Sequence, residues 1–389
     1  MTARVLQVIT GLGIGGAEQQ LRLLLRHLPA RYRCEVLTLT NPGPVAEGLR
    51  ADGVPVSCLE MGGNRDLAAL PRLVAHIRRG GYDLVHAHLY RACVYGRLAA
   101  RLAGVPAVAT EHSLGAREIE GRPLTRGVRA LYLASERLGA ATAAVSPTVA
   151  GRLGDWGVPP GRIRTVPNGI DARRFAFDPA ARRRLRAELR LPEGAFTVAG
   201  VGRLVAGKRF DALVEAVAAL PGAVLLLAGD GPERTALRAQ AARLGAAERI
   251  RLLGAREDVP ELLAAADLFV SASREEAFGL AVVEALAAGL PVLHGPCPAV
   301  DDLPGDHAPG ARSLGECPAA GLTAALRTAA AAGPRRLPPP PAVAHYDIAR
   351  SADLLAELYA HTLGGARPPR VPRPTRTRTP VPVERAARR

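Results

Sequence analysis

The chain has 389 residues, 48% of them apolar, 4% aromatic and 22% charged, with a formal net charge of +15. That length exceeds what a single core holds well, so two domains are expected, and the aliphatic-rich composition excludes a chain that is disordered throughout. No apolar run is long enough to span a bilayer, and residues 1–10 read as a strand rather than a cleavable leader. Five cysteines without a CxxC pair (Cys34, Cys58, Cys93, Cys297 and Cys317) fit reduced thiols rather than a disulfide framework or a zinc site, and a cytosolic location is the expectation.

Short runs rich in Val, Leu and Ile alternate with helical stretches, the pattern of successive βαβ units around a parallel sheet. In the first half, strands are predicted at 5–10, 35–40, 56–61, 84–88, 107–111, 141–146 and 163–166. A charged, helical connector at 172–190 follows, and further strands are predicted at 196–201, 223–228, 250–253, 268–271 and 291–293. The fold class is therefore α/β, with two doubly wound, Rossmann-like parallel-sheet domains, residues 1–170 and 171–345, facing a central cleft. Open parallel sheets bind ligands beyond the carboxyl ends of their strands, which makes that cleft the expected site.

Residues 335–341 include four consecutive prolines and predict an extended spacer. A helix within 346–363 is expected beyond it, crossing back to the first domain. The tail 364–389 has eight arginines against Glu384 alone, supplying +7 of the net charge, and too little apolar surface to fold.

The stretch 271–291, SASREEAFGLAVVEALAAGLP, runs from a strand end through a polar loop into a helix expected to begin at 278–280. Unpaired amides and the helix dipole make such an N-terminus a phosphate site. Glu276 falls in the loop and Glu284 within the helix, lining the pocket and accepting from a sugar diol respectively. Taken singly, each acid is better read as a partner of the helix dipole. GVGRLVAGKR, from Gly200, delivers Arg203 and Lys208 to the edge of the second sheet, where two cations can neutralise a diphosphate. A random Arg and Lys are solvated surface charges; placement just after a buried strand favours the site. His86 and His88 form an HxH pair, but no third ligand stands at zinc spacing. They read as the end of a strand at the cleft, His88 on the acceptor side, with no metal expected. His112 ends the next strand.

In this order the chain carries GGAEQQ from Gly15, DLVHAH from Asp83, TEHS from Thr110, VSPTV from Val145, VPNGID from Val166, GRL with Lys208, LAGDGPE from Leu227 and E-x7-E from Glu276 to Glu284. Each motif alone is weak. The ordered set, covering roughly residues 5–363, resembles the retaining glycosyltransferases of GT-B fold grouped as family 4. The resemblance implies that Arg203 and Lys208 hold the donor diphosphate and stabilise the leaving group, that Glu284 binds the ribose hydroxyls, and that Glu276 contacts the transferred sugar. It further implies that the backbone of Phe278, Gly279 and Leu280 receives sugar hydroxyl or phosphate oxygens, and that Gly15 and Gly16 form a loop approaching the donor. His112 matches the family's first-domain histidine near the reacting sugar, alongside His88 on the acceptor side. Such enzymes retain anomeric configuration without a metal or other cofactor, the nucleotide-sugar being a substrate, and the chain contains no DxD triplet. The donor implied is a UDP-sugar carrying a hexose or N-acetylhexosamine. The acceptor is a hydroxyl of a lipid-linked glycan, a polysaccharide or a small molecule.

The sequence departs from the family after Pro291, where HGPCPAVDDLPGDHAPG replaces a glycine-rich turn followed by a Glu, which puts donor contacts from 294–310 in question. Two rival readings remain open. GLGIGG, from Gly11 to Gly16, formally satisfies the GxGxxG of an NAD-dependent oxidoreductase, but the second strand ends in Leu39, Thr40 and Asn41 rather than in an acid for the cofactor ribose. A non-catalytic basic scaffold binding membrane or nucleic acid is the other. No aromatic-interleaved platform or recognition helix accompanies the charge, so nucleic acid is not expected. Arg122, Arg126, Arg129 and Arg137, with Leu124, Val128, Leu131, Leu133 and Leu138, are read equally as a basic amphipathic surface for the inner face of an anionic membrane and as an ordinary solvated helix.

Overall fold

The structure, a computed structural model, describes residues 2–365 apart from 64, 65, 67, 117, 121 and 316–318. Cys317 and nearly all of the arginine-rich tail lie outside the described residues. The chain builds two parallel sheets with helices on their faces. In the first, strands lie in the order Val56–Cys58, Tyr32–Thr38, Ala3–Ile9, Leu84–His88, Ala107–Glu111, Ala141–Ala144 and Ile163–Thr165. In the second the order is Ile250–Gly254, Ala223–Ala228, Phe196–Val201, Leu268–Ser271, Val292–His294 and Ala311–Ser313. In both sheets the strand order reverses direction beside the first strand of the domain, between Ala3–Ile9 and Leu84–His88 and between Phe196–Val201 and Leu268–Ser271. A crevice opens at such a switch point because the connections on its two sides leave in opposite directions.

The central strands Leu84–His88, Ala107–Glu111 and Ala223–Ala228 are buried along their whole length; the last is a continuous apolar run, while the first two begin apolar and carry the buried polar residues His86, His88, Thr110 and Glu111 toward their carboxyl ends. The 141–146 run stops as a strand at Ala144 because Ser146 turns its side chain to accept from Val149 N at 3.1 Å, capping the helix Pro147–Trp156, with Pro147 at its first turn. Two elements were not anticipated. Ala311–Ser313 is a three-residue strand too polar to register as an apolar run, and Glu118–Ile119 pairs antiparallel with Arg122–Pro123 in a small hairpin.

The chain passes between the sheets twice at one place. Ile170 N donates to Tyr346 O at 2.8 Å, and Ile348 N donates back to Ile170 O at 3.1 Å. A Cβ on Gly169 would meet the Ile348 Cα at 2.7 Å, so the crossing requires glycine there. The proline run is extended as far as Pro340 (φ −76°, ψ 166°), and Pro341 opens the short helix Pro341–His345. The final helix, Ile348–Gly365, packs Ile348, Ala352, Leu355 and Tyr359 on Val5, Leu84 and Val108 of the first sheet.

Further polar contacts span the two domains. Ser146 Oγ donates to Ala277 O at 2.7 Å, Thr148 gives its amide and hydroxyl to Asp302 at 3.0 and 2.6 Å, and Glu275 accepts from Ala116 N at 2.7 Å and pairs with Arg152 at 2.7 Å. These hold the carboxyl ends of the two sheets toward each other across the cleft.

Val128 and Leu133 of the helix Arg126–Glu136 pack against the core together with Leu124 just before it, and Arg129 donates to the carbonyls of Asp155 and Trp156. Leu131, 51% exposed, is the large apolar side chain this helix presents to solvent. No helix among the described residues is long and apolar enough to cross a membrane.

Candidate functional site

The site collects residues from the loops at both switch points. After Phe196–Val201 the chain turns through Gly202, leaves Arg203 exposed, and forms a 3-10 turn at Ala206–Lys208. After Leu268–Ser271 comes the loop with Ser273, Glu275 and Glu276, then the helix Leu280–Ala287. Lys208 Nζ lies 2.5 Å from Glu276 Oε1, which also accepts from Ser273 Oγ at 2.7 Å. The two loops are thereby closed on each other by a half-buried, charge-assisted bond.

Gly279 caps the helix Leu280–Ala287 in the left-handed region (φ 107°), with no side-chain hydrogen bond to the helix start. The first amides are therefore left to an incoming acceptor, and the dipole favours an anion. Phe278 is 3% exposed, its ring edge-on to Tyr346 at 4.8 Å, so the residue offers its backbone and not its ring to the cleft. Glu284 lies one turn into the helix. Burial pushes its carboxyl up to about 7, against the opposing charge of Arg174 on the connector.

On the facing side, Gly15 caps the helix Gly16–His27 and Gly16 sits against the Leu280 side chain, where an added Cβ would lie 3.5 Å from Leu280 Cδ1. A Cβ on Gly15 would meet Glu18 Oε2 at 2.4 Å, so Glu18 folds back over its own helix start. Burial raises the Glu18 and Glu120 carboxyls above their ordinary range, while the charge of Arg203 acts on both in the other direction. Glu120 accepts the Tyr90 amide at the start of the helix Tyr90–Ala103. Arg203 is thus the charge that first-domain acids share with the second domain.

His112, 7% exposed, follows the strand Ala107–Glu111 and stands four residues before Ala116, whose amide donates to Glu275. Its Nε2 is 3.0 Å from His88 Nδ1, while its Nδ1 has no hydrogen-bond partner among the described residues. Burial lowers the His112 imidazole to about 4, so the ring is neutral at physiological pH. His88 differs from its expected place on the acceptor side: it is 1% exposed and spends both nitrogens, on His112 and on Gln7 Oε1 at 2.9 Å. Inward-facing positions of a central strand are covered by helices, so the HxH spacing puts both histidines beneath the cleft floor. His86 likewise bonds Tyr359 OH at 2.6 Å and Thr110 Oγ1 at 2.7 Å. Among the described residues no three His, Cys, Asp or Glu side chains are grouped to hold a metal ion.

The unusual segment after Pro291 forms the strand Val292–His294 and the four-residue helix Pro298–Asp301, and brings Cys297 against the donor loop, its thiol 3.5 Å from Phe278 O. Sequence reasoning missed Glu18, Glu120 and Glu275. Glu18 was within reach, since it stands inside GGAEQQ in the first helical turn; Glu120 and Glu275 carry no local pattern.

Comparison with known proteins adds to this geometry. Residues 14–174 match the family Glycosyltransferase Family 4, and residues 181–319 match Glycosyl transferases group 1. The chain is 37% identical over 243 residues to a D-inositol 3-phosphate glycosyltransferase of Salinispora tropica, covering 55% of this chain but only 50% of that enzyme. It is 30% identical over 275 residues to the UDP-Gal:alpha-D-GlcNAc-diphosphoundecaprenol alpha-1,3-galactosyltransferase of Escherichia coli, covering 66% of this chain and 70% of that enzyme. In fold it is similar to Anabaena HepE, solved in complex with UDP and glucose, with a TM-score of 0.78 at 23% identity over 92% of this chain and all of that one. The lipopolysaccharide glycosyltransferase WaaG aligns with a TM-score of 0.66 at 20% identity, over 93% of this chain and 98% of that one. By its two matched halves, its paired parallel sheets and its relatives, the chain belongs to the family 4 glycosyltransferases of GT-B fold.

Proposed function

We propose that this protein is a retaining, metal-independent transferase that moves a hexose or N-acetylhexosamine from a UDP-sugar to a hydroxyl of a lipid-linked glycan, a polysaccharide or a small molecule. The observation that carries the reading is the closure of Lys208 on Glu276 beside the start of the helix Leu280–Ala287, which has no side-chain cap. A cation, a carboxylate and free helix amides are there brought together, the groups that a diphosphate with a sugar attached would need. The complexes of HepE with UDP and with UDP-glucose, and the donor named for the Escherichia coli relative, support UDP as the nucleotide.

In this reading Arg203 and Lys208 face the diphosphate, together with the amides at Gly279 and Leu280. Glu284 accepts from the ribose hydroxyls, and Glu276 and His112 contact the sugar. The acceptor oxygen bonds to the anomeric carbon on the face from which the phosphate oxygen leaves with its electron pair, and that oxygen takes the acceptor's proton. The protein's main task is then to stabilise charge developing on the leaving phosphate with groups already in place. The undecaprenol-linked acceptor of the Escherichia coli relative favours a lipid-linked acceptor, reached from peripheral contact with a membrane. A screen of UDP-, GDP-, ADP- and dTDP-sugars for hydrolysis and transfer, with Glu276→Ala as control, tests the proposal. Consumption of a UDP-sugar that is lost in the variant supports it; no donor consumed by the parent overturns it.

A further inference from the structure

A chain of buried polar side chains runs from the cleft to the last helix, and the glycosyl-transfer reading leaves most of it without a role. His112 Nε2 faces His88 Nδ1 at 3.0 Å, and His88 Nε2 faces Gln7 Oε1 at 2.9 Å. Gln7 Nε2 lies 3.0 Å from Tyr359 OH and 3.5 Å from Cys34 Sγ. Tyr359 OH in turn meets His86 Nδ1 at 2.6 Å, and His86 Nε2 meets Thr110 Oγ1 at 2.7 Å. Gln7, His86 and Tyr359 are completely buried, and no carboxylate takes part in these contacts. Buried polar groups must be matched donor to acceptor, so one member can dictate the state of the rest.

That member is the Gln7 amide. Its nitrogen has only hydrogens to give, and both contacts of that nitrogen, the Tyr359 oxygen and the Cys34 sulfur, are able to accept. Its oxygen has only lone pairs and, in the orientation the amide takes here, faces His88; that orientation places the ring's proton on His88 Nε2. A neutral His88 then accepts at Nδ1. The bond to His112 requires His112 Nε2 to donate, leaving a lone pair on His112 Nδ1, a buried atom and the one imidazole nitrogen of the three rings without a partner among the described residues. Burial and the neighbouring histidines, whose ring centroids lie 4.0 and 5.3 Å away, hold His88 neutral. Tyr359, receiving the Gln7 N–H, passes its own proton toward His86 Nδ1, and His86 donates to Thr110.

We propose that Gln7, His88 and Tyr359 are positioning residues that fix His112 as its Nε2–H tautomer, so that His112 offers Nδ1 as a hydrogen-bond acceptor to a hydroxyl of the substrate sugar. The use of that acceptor rests on the transferase reading above; the tautomer does not. The same bonds explain a hydroxyl at Tyr359 among the apolar residues Ala352, Leu355 and Ala356 of the helix: the returning helix supplies the hydroxyl that orients the amide. A merely structural role for these residues would leave the His112 tautomer unmoved when one of them is changed.

The test is the histidine 15N spectrum of the full chain, labelled at histidine and recorded by long-range 1H–15N correlation without any nucleotide-sugar, with His112→Asn used to assign the His112 signals. The expected parent spectrum shows an unprotonated Nδ1 and a protonated Nε2 on His112. In Gln7→Met and Tyr359→Phe these signals move toward a mixture of tautomers. Turnover of a UDP-sugar then falls about 10- to 100-fold in kcat, the usual consequence of removing a group that orients a site histidine, while the Kd for UDP is unchanged. A protonated Nδ1 in the parent, or unchanged His112 signals in the variants, overturns the proposal. Should Gln7→Met fail to fold, Tyr359→Phe, which removes one oxygen, decides the matter. A parent with the expected tautomer and no turnover would instead count against the transferase reading alone.

Discussion

Lys208 Nζ and Glu276 Oε1 stand 2.5 Å apart, joining the loop after Phe196–Val201 to the loop after Leu268–Ser271. Neither residue is fully buried, with side chains 26% and 15% exposed, so the pair keeps access to the cleft while being shielded enough for its charges to matter. Because each orients the other, their losses overlap. Lys208→Ala and Glu276→Ala are each expected to lower kcat/KM with a UDP-sugar by roughly 100- to 1,000-fold, as removal of one preorganised charge-stabilising group does. The double variant should fall by clearly less than the product of the two. Steady-state release of UDP measures all three; strictly multiplicative losses would show that the pair does not act as a unit.

The Glu284 carboxyl is raised to about 7 by burial, above the value it has in an unfolded chain. Its neutral form is therefore favoured by folding: stability falls as the pH rises from the unfolded value of 4.5 toward about 7 and levels off above that, and the cost is absent only below the unfolded value. Glu284→Gln should raise the Tm at pH 8.5 by more than it does at pH 5.5, while weakening UDP binding measured by calorimetry. An equal Tm change at both pH values would mean that burial does not hold this acid neutral.

Gly279 is fixed by two independent constraints. Its φ of 107° is a conformation side chains rarely adopt, and an added Cβ would stand 2.3 Å from Cys297 Sγ. Gly279→Ala should cost at least about 2 kcal/mol in urea unfolding. Adding Cys297→Ala removes the clash but not the backbone strain, so the double variant should recover only part of the loss. Full recovery would assign the whole effect to the thiol.

Asp267, 2% exposed at its side chain, accepts from Arg182 at 2.7 Å and from Thr197 N at 2.8 Å. Arg182, Arg186 and Arg336 crowd the same place, donating to carbonyls at the end of the helix Val259–Ala265. Asp267 is their shared counter-charge. Asp267→Ala should cost about 3 to 5 kcal/mol, because it leaves buried positive charge unbalanced and a strand amide without its acceptor. Urea unfolding of the variant checks this; a loss below about 1 kcal/mol would show that the carbonyls alone satisfy the arginines.

Much of the architecture was legible before any coordinates. The strands at 84–88, 107–111, 196–201, 223–228 and 268–271 have the bounds that their apolar runs predict, because a central parallel strand is buried on both faces and writes that burial into contiguous residues. The helix start beside Glu276 was legible for a similar reason: strand, polar loop and apolar period follow one another within twenty residues. Short edge elements were not, since Ala311–Ser313 is strand only by pairing with Val292–His294. Nor does any local pattern reveal that Glu275 turns to the first domain while Glu276 turns to Lys208, or that His88 faces inward.

By itself, then, the sequence determined the elements, their alternation and the set of chemically useful side chains, because these follow from burial and backbone propensity over a few consecutive residues. Only the tertiary structure decided which of those side chains share a proton or a charge. Gln7 and Tyr359 are separated by 352 positions and meet at 3.0 Å because the last helix returns to the first sheet. Hydrogen bonds act over ångströms of space, whereas sequence patterns record only neighbours along the chain.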